Sequence, residues 1–495
     1  MKLPKYTKHT EHVLECAFYL LVFATIAVFA ILQPFGVPPD EINRYKVVQY
    51  ICIHGKLPIG SDPEVIIGGY GASYAFQPIL SYIIMGFIMR PIFQFSQDSF
   101  VLAYVARFVN VFIGVIMAYF VRKIAKEVFD SPVLQWLFTL LVVLLPQNLF
   151  LHSYVNTDSM AALATAIIIY ACIRGMKTAW NTRACITLAM GIILCALSYY
   201  NAYSVILCSI LLFLFSFMDF SSGKMKLRMR PMLQKGIFIS AMVLLGIGWW
   251  FIRNAILYDG DFIGMTARMK SAAETCIPMF HPDLKETIQS AGYPITYLFR
   301  ETLFLHTLYE SFIATFGTMD IFTYPWIYTV YRVIFAGSLL CLLLPLRGKL
   351  PTVQTSAPEN TSSRGTVERP SESITETYLR GISNGTKQFF NVLMFLDMVI
   401  VAGLCVWYSY SWDYQPQGRY VLPLLIPLMY FISVGISKLD AYLTIHVAHG
   451  KQIALMIEFL IITFVIAALA STMLGSVIPY YRTHDNWLRL ALQSW

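Results

Sequence analysis

Apolar residues fall along this chain in blocks near twenty residues long, the length that crosses a hydrocarbon core ~30 Å thick. The first, Leu14 to Leu32, follows a basic start (Lys2, Lys5, Lys8). It is longer than a signal-peptide core, and no small-residue cleavage site follows it, so it reads as an anchor with a cytoplasmic N-terminus. Further blocks occupy about 101–121, 133–151, 159–173, 184–199, 202–218, 236–256, 326–346, 389–409, 420–438 and 453–477.

One more block, 78–95, decides the topology. If it crosses, Arg122-Lys123-Ile124-Ala125-Lys126, the group Arg174, Lys177 and Arg183, and the run Lys224 to Arg230 all fall outside. If it lies flat, all three clusters are cytoplasmic, as the positive-inside bias favours. Gln77, Pro78, Arg90, Pro91 and Gln94 suit an interfacial helix better than a lipid-facing one. The pattern therefore predicts an all-α polytopic membrane protein of about 11 transmembrane helices. Interfacial helices are expected in its first outer loop, and its C-terminus is expected outside. Residues 1–346 form the membrane domain, with outer loops at 35–100 and 256–325. Residues 347–388, rich in Ser, Thr, Glu, Arg and Pro, read as a disordered cytoplasmic loop. Residues 389–495 hold the last spans and a short outer tail. The N-x-[ST] matches at Asn360 and Asn384 then lie on the wrong side for glycosylation.

Composition agrees: 495 residues are 57% hydrophobic and only 13% charged, about half the usual charged share. This excludes a secreted disulfide scaffold, a disordered chain and a nucleic-acid binder. The net charge of +8 sits largely in the basic clusters that orient the chain. Nine scattered cysteines form no C-x-x-C or Cys/His cluster, so neither a redox motif nor a zinc site is expected. Cys52 and Cys276 lie in polar segments on the same predicted side, where a disulfide is one reading.

The unusual polar residues collect outside. Asp40-Glu41 follows Pro38-Pro39 and opens an amphipathic helix marked by Ile42, Tyr45, Val48 and Cys52. An Asp there can cap the helix. It can equally be a positioned carboxylate that takes a proton or holds a cation. Asn156-Thr157-Asp158 stands between two spans, where Asp158 suits a helix N-terminus or, with Asn156, a cation or substrate. Arg419, in Gln417-Gly418-Arg419-Tyr420, has the charge and fork geometry for a phosphate, or snorkels at the interface. Trp249-Trp250-Phe251-Ile252-Arg253-Asn254 reads as an aromatic belt with a further outer cation.

Taken in order, these elements resemble the glycosyltransferase-C superfamily. Its polytopic enzymes take a sugar from a polyprenyl-phosphate carrier outside the membrane. They include protein O-mannosyltransferases, oligosaccharyltransferase catalytic subunits and the lipid A aminoarabinose transferase. Asp40-Glu41 is similar to the acidic pair after the first span, and Arg44-Tyr45 resembles a D-E-x-R-Y form with one residue inserted. Phe76-Gln77-Pro78-Ile79-Leu80-Ser81-Tyr82 is similar to a P-P-L-x-Y-like start. Arg107 to Gly114 resembles R-x-x-(S/N)-x-x-x-G, and Asn156-Thr157-Asp158 the second acidic motif. Trp250 to Asn254 resembles W-x-x-R-N. Gln417 to Tyr420 with Pro423 resembles Q-G-R-Y-x-x-P. Two departures stand out: the second acidic motif carries one carboxylate where oligosaccharyltransferases carry two, and only Tyr480 to Trp495 follow the last span.

The resemblance implies inverting transfer to a hydroxyl acceptor (glycan, lipid or protein of a bacterial cell envelope) at the outer face of the plasma membrane. Asp40, Glu41 and Asp158 are the implied catalytic residues, Asp40 as base. Arg419, Arg253 and Gln417 would bind the donor phosphate. Arg44, Tyr45, Asn156, Gln77 and Asn254 would contact substrate. A divalent cation, Mg or Mn on Asp40 and Asp158, is the one cofactor left open. The alternatives are a transporter or flippase, and a non-catalytic assembly subunit of the same fold. Asp397 and Glu458 lie within spans, yet no internal repeat supports transport.

Overall fold

The computed structural model describes residues 8–219, 226–345 and 378–483. In chain order the helices are α1 (Lys8–Leu32), α2 (Glu41–His54), α3 (Leu80–Phe93), α4 (Ser99–Val128), α5 (Pro132–Val143), α6 (Pro146–Leu151), α7 (Asp158–Lys177), α8 (Thr182–Ala196) and α9 (Tyr203–Phe215). They continue as α10 (Met229–Leu257), α11 (Met265–Thr275), α12 (Tyr297–Arg300), α13 (Phe304–Ala314), α14 (Pro325–Cys341), α15 (Asn384–Ser411), α16 (Leu425–His446), α17 (Gly450–Thr472) and α18 (Ile478–Thr483). Among the described residues the strands are two short antiparallel pairs, Met218–Asp219 with Lys226–Leu227 and Thr315–Phe316 with Ile321–Phe322.

Local chemistry sets several boundaries. Asp98 caps α4 by accepting from the Phe100 and Val101 amides, and Ser131 with Pro132 starts α5. Asn181 caps α8 and Ser383 caps α15. Seven segments are long and apolar enough to cross a membrane: most of α1, α4, α7, α10, α15, Gly418–His446 and Gly450–Thr483. The expected count of eleven therefore rests on four shorter apolar stretches, α5, α8, Tyr200–Phe215 and α14. The block expected at 133–151 breaks at Leu144-Leu145, because Pro146 opens a new helix and biases the residue before it away from helix. The 12-residue α5 rises about 18 Å, short of a full crossing.

The segment 78–95 forms the 14-residue α3, about 21 Å long. It packs on α2, with Gly86 leaving room for the Ile51 side chain. Arg90 reaches back to the carbonyls of Cys52 and Ile53 at 2.9 and 3.0 Å, satisfying the C-terminal end of α2. All nine cysteines are free thiols, which corrects the Cys52–Cys276 disulfide: Cys52 is buried in α2, and Cys276 ends α11 half-buried. The loop expected to be disordered at 347–388 falls outside the described residues as far as 377, Asn360 included. Beyond it the Leu379 amide donates to Val128 O at 2.8 Å, and Asn384 opens α15.

Candidate active site

The site begins where α2 begins. Pro38-Pro39 lead into Asp40, which occupies the cap position with φ 63 and ψ 5 and no side-chain capping bond. Asp is among the few residues that tolerate this left-handed conformation, at a cost of about 1–3 kcal/mol. The capping role is thereby set aside, and the twist sends the two neighbouring acids to different partners.

Glu41 goes inward and is fully buried. Arg107 of α4 donates to its two oxygens at 2.8 and 2.6 Å, the Gly36 amide at 2.9 Å and the Val155 amide at 3.1 Å. Arg107 spends its other donors on the carbonyls of Ala30, Gln33 and Pro34, where α1 ends. A carboxylate holding four donors has no free lone pair facing a substrate. Glu41 is thus a strut joining α1, α2, α4 and the 152–157 turn, a correction to its expected catalytic role.

Asp40 turns the other way, to Arg419. Its Oδ2 accepts from Arg419 Nη2 at 2.6 Å and lies 3.8 Å from Arg44 Nη2. Arg44 Nη1 in turn donates to Asp158 Oδ2 at 2.7 Å. The chain of alternating charge, Asp158, Arg44, Asp40, Arg419, brings together α7, α2 and the 3-10 segment Gly418–Leu424 that leads into α16. Tyr74 covers Arg44 with its ring at 5.2 Å. Burial pushes that carboxyl up, and the Arg419 and Arg44 guanidiniums outweigh it, holding Asp40 below the ordinary carboxylate range. Tyr420 accepts from Arg419 at 3.0 Å and donates to Gln415.

Gly418 positions Arg419. A Cβ there would strike the backbone of Ser311 and Phe312 in α13, and the Gly418 amide donates to Ser311 Oγ at 2.7 Å. Asp158 and Arg419 line one small cavity, with Leu151, Tyr199 and Pro423 among its walls. Asp40 adjoins this cavity through Arg419. On its lining, Asp158 Oδ1 and Arg419 Nε are buried polar atoms without a hydrogen-bond partner, and so are Nε of Arg44, which is bonded to Asp158, and Oε1 of Gln417, two residues before Arg419 in sequence, the unspent capacity that a polar ligand would use.

Several expected substrate contacts lie elsewhere. Asn156 is fully buried; it donates to the Leu151 and Tyr154 carbonyls and accepts from the Ser159 amide and hydroxyl. It braces the start of α7 instead of meeting a ligand. Tyr45 packs edge-on against Phe35 at 4.9 Å. Arg253 donates to Pro58 O at 2.6 Å and lies over Trp250 at 5.2 Å; its guanidinium holds the first loop, not the Asp40 cluster. Asn254, fully buried, donates to Phe262 O at 3.4 Å. Gln77 ends the 3-10 turn Tyr74–Phe76 half-buried.

A divalent cation does not fit these residues. The two carboxylates proposed as its ligands already share one guanidinium, Arg44, whose two amino groups face one acid each. Among the described residues no group of three or more His, Cys, Asp or Glu could hold a metal ion. Tyr74, Tyr199 and Arg107 were missed as parts of this centre. Arg107 carried the R-x-x-(S/N) signal, whereas the two tyrosines carried none.

No protein-family model matches the chain, and no curated protein does. Solved structures similar to it include the archaeal oligosaccharyltransferase AglB from Archaeoglobus fulgidus with an inhibitory peptide and a dolichol-phosphate: 14% identity, 92% of this chain, 56% of that chain, TM-score 0.48. A complex of the Archaeoglobus fulgidus oligosaccharyltransferase with Zn and sulfate is similar at 14% identity, 92% and 52% coverage and TM-score 0.47. The chain thus spans about half the length of these oligosaccharyltransferases. ArnT from Cupriavidus metallidurans bound to undecaprenyl phosphate is similar at 11% identity, 98% and 76% coverage and TM-score 0.46. The solved structures similar to this all-α chain are thus named as oligosaccharyltransferases and as ArnT, and the likeness is one of fold.

Proposed function

We propose that the chain is an inverting glycosyltransferase that moves a sugar from a polyprenyl-phosphate carrier to a hydroxyl acceptor at the outer face of the membrane. The observation that carries this reading is the pairing of Asp40 with Arg419, 379 residues apart, beside a cavity that Arg419 lines with Asp158. Carriers of this chemical class, dolichol-phosphate and undecaprenyl phosphate, are bound in the neighbours named above; the reading for this chain stands on its own residues.

Asp40 accepts the proton of the acceptor hydroxyl as that oxygen attacks the anomeric carbon, displacing the carrier phosphate with inversion. A carboxylate of low pKa is a weak base, so positioning carries more of the rate than basicity. The departing phosphate is already a stable anion and needs cations in place of an acid. Arg419 and Arg44, each with a buried unpartnered Nε, supply them. The bare Oδ1 of Asp158 and Oε1 of Gln417 are acceptors for substrate hydroxyls. Glu41 and Arg107 hold the frame.

The test is transfer of labelled sugar from a polyprenyl-phosphate donor by purified protein in lipid nanodiscs, with Asp40→Asn beside wild type. Loss of turnover with retained donor binding is expected. Turnover of the variant within a few-fold of wild type would remove Asp40 from the base role.

A further inference from the structure

We propose that Arg44 occupies the position a bridging divalent cation would take, and that this centre works with a fixed guanidinium in place of a metal. Two acids brought to one point, Asp40 from the start of α2 and Asp158 from the start of α7, need a positive charge between them to stay ionised together. Arg44 supplies it: Nη1 meets Asp158 Oδ2 at 2.7 Å, and Nη2 stands 3.8 Å from Asp40 Oδ2. It is the role of a bridging metal, performed by a side chain one turn along the helix that follows Asp40.

Charge arithmetic supports the substitution. Asp40 and Asp158 carry two negative charges, and Arg44 and Arg419 carry two positive ones. The neighbouring Glu41–Arg107 pair is separately balanced. The cluster is neutral as it stands, and Arg44 and Arg419 are each only about 5% exposed. A divalent ion added here would leave two uncompensated positive charges in a largely buried site, which desolvation disfavours. To bind, it would have to displace Arg44, which has nowhere to go. The guanidinium is covered by the Tyr74 ring, and its helix is anchored by the four bonds to Glu41.

The arrangement also shapes what the centre can hold. A bridging metal would present open coordination positions to any oxygen ligand. Arg44 presents instead a single buried Nε donor with no partner, matched by that of Arg419. Two guanidiniums with spare donors favour a monoanionic or dianionic oxyanion.

Manganese binding and turnover test this separately. Purified wild type, Arg44→Lys, Arg44→Ala, Asp158→Asn and the double variant Arg44→Ala/Asp158→Asn would be stripped with EDTA, titrated with Mn²⁺ and read by electron paramagnetic resonance. Wild type and Arg44→Lys should leave the Mn²⁺ signal that of the free ion. Arg44→Ala should bind about one Mn²⁺ per chain, and the double variant should lose it. A merely structural arginine would not confer metal binding when removed. Stoichiometric Mn²⁺ binding by wild type that is lost in Asp158→Asn would overturn the proposal, as would a well-folded Arg44→Ala chain that binds none. Should Arg44→Ala fail to fold, the comparison of wild type with Asp158→Asn decides. Only the turnover arm rests on the transfer reading: EDTA-treated wild type should keep its rate within about twofold, and abolition restored by Mn²⁺ would sink the inference. No turnover under any condition would count against the transferase reading, while the manganese spectra still judge the role of Arg44.

Discussion

Replacing Arg419 with Gln should move the acid limb of the pH profile upward. In the folded protein the Asp40 carboxyl lies below its ordinary range because Arg419 and Arg44 outweigh the effect of burial. Two unit charges about 4 Å apart interact by about 4 kcal/mol at an effective dielectric of ~20, equivalent to about three pH units. The Asp40 side chain is 35% exposed, and solvent screening takes roughly half of that. With Arg44 still in place, the limb should rise by about one to two pH units. The sign follows from the base role: the active form is the carboxylate, so a raised pKa removes activity on the acid side first. The same linkage makes the Asp40–Arg419 tie a source of stability that is complete above the unfolded carboxylate range and is lost as pH falls through the depressed folded value. The assay is kcat/KM for labelled donor between roughly pH 4 and 8, spanning the range where a shifted carboxylate titrates. Wild type should be flat down to the acid end, Arg419→Lys nearly so, and Arg419→Gln should fall within the range. An Arg419→Gln profile that superimposes on wild type after scaling would refute the coupling, whatever its absolute rate.

Glu41→Gln leaves Arg107 buried without its counter-charge and should cost about 3–5 kcal/mol, read by thermal unfolding in nanodiscs; a loss below about 1 kcal/mol would deny Glu41 its role as a strut. Gly418→Ala puts a methyl into the Ser311–Phe312 backbone and should cost about 1–3 kcal/mol, with a larger fall in kcat than in donor affinity because Arg419 is displaced. Arg253→Ala should leave the donor KM within a few-fold while increasing proteolysis of the loop near Pro58; a KM rise of about tenfold or more would return Arg253 to the phosphate site.

The parts legible in the sequence were those with a local cause. Block lengths marked the helices, and the acidic and basic motifs marked Asp40, Asp158 and Arg419 singly. The spacing of apolar residues after Asp40 located α2. Pro146 was visible, yet block length alone could not weigh its break against a continuous apolar run. Adjacent acids could not be told apart either: the left-handed turn at Asp40 sends it to Arg419 and Glu41 to Arg107, and nothing in Asp-Glu encodes that split. Asn156 and Arg253 had the right chemistry for a ligand but were already committed to nearby carbonyls. Tyr74 lies in a polar loop with no periodic signal, and its place over Arg44 follows only from tertiary packing.

The sequence separations of three long-range arginine–carboxylate pairs around the cluster imply an order of assembly. Glu41 meets Arg107 across 66 residues and Arg44 meets Asp158 across 114, whereas Asp40 waits for Arg419 across 379. During synthesis from the N-terminus, two of the three pairs can close while most of the chain is still to be made. Asp40 has Arg44 alone, 3.8 Å away, until the Gly418–His446 segment brings Arg419 to it. Closing so long a loop costs little more entropy than closing one half its length, so the delay is one of biosynthetic timing. The nascent chain therefore carries the Glu41–Arg107 and Arg44–Asp158 ties well before Arg419 completes the cluster around Asp40.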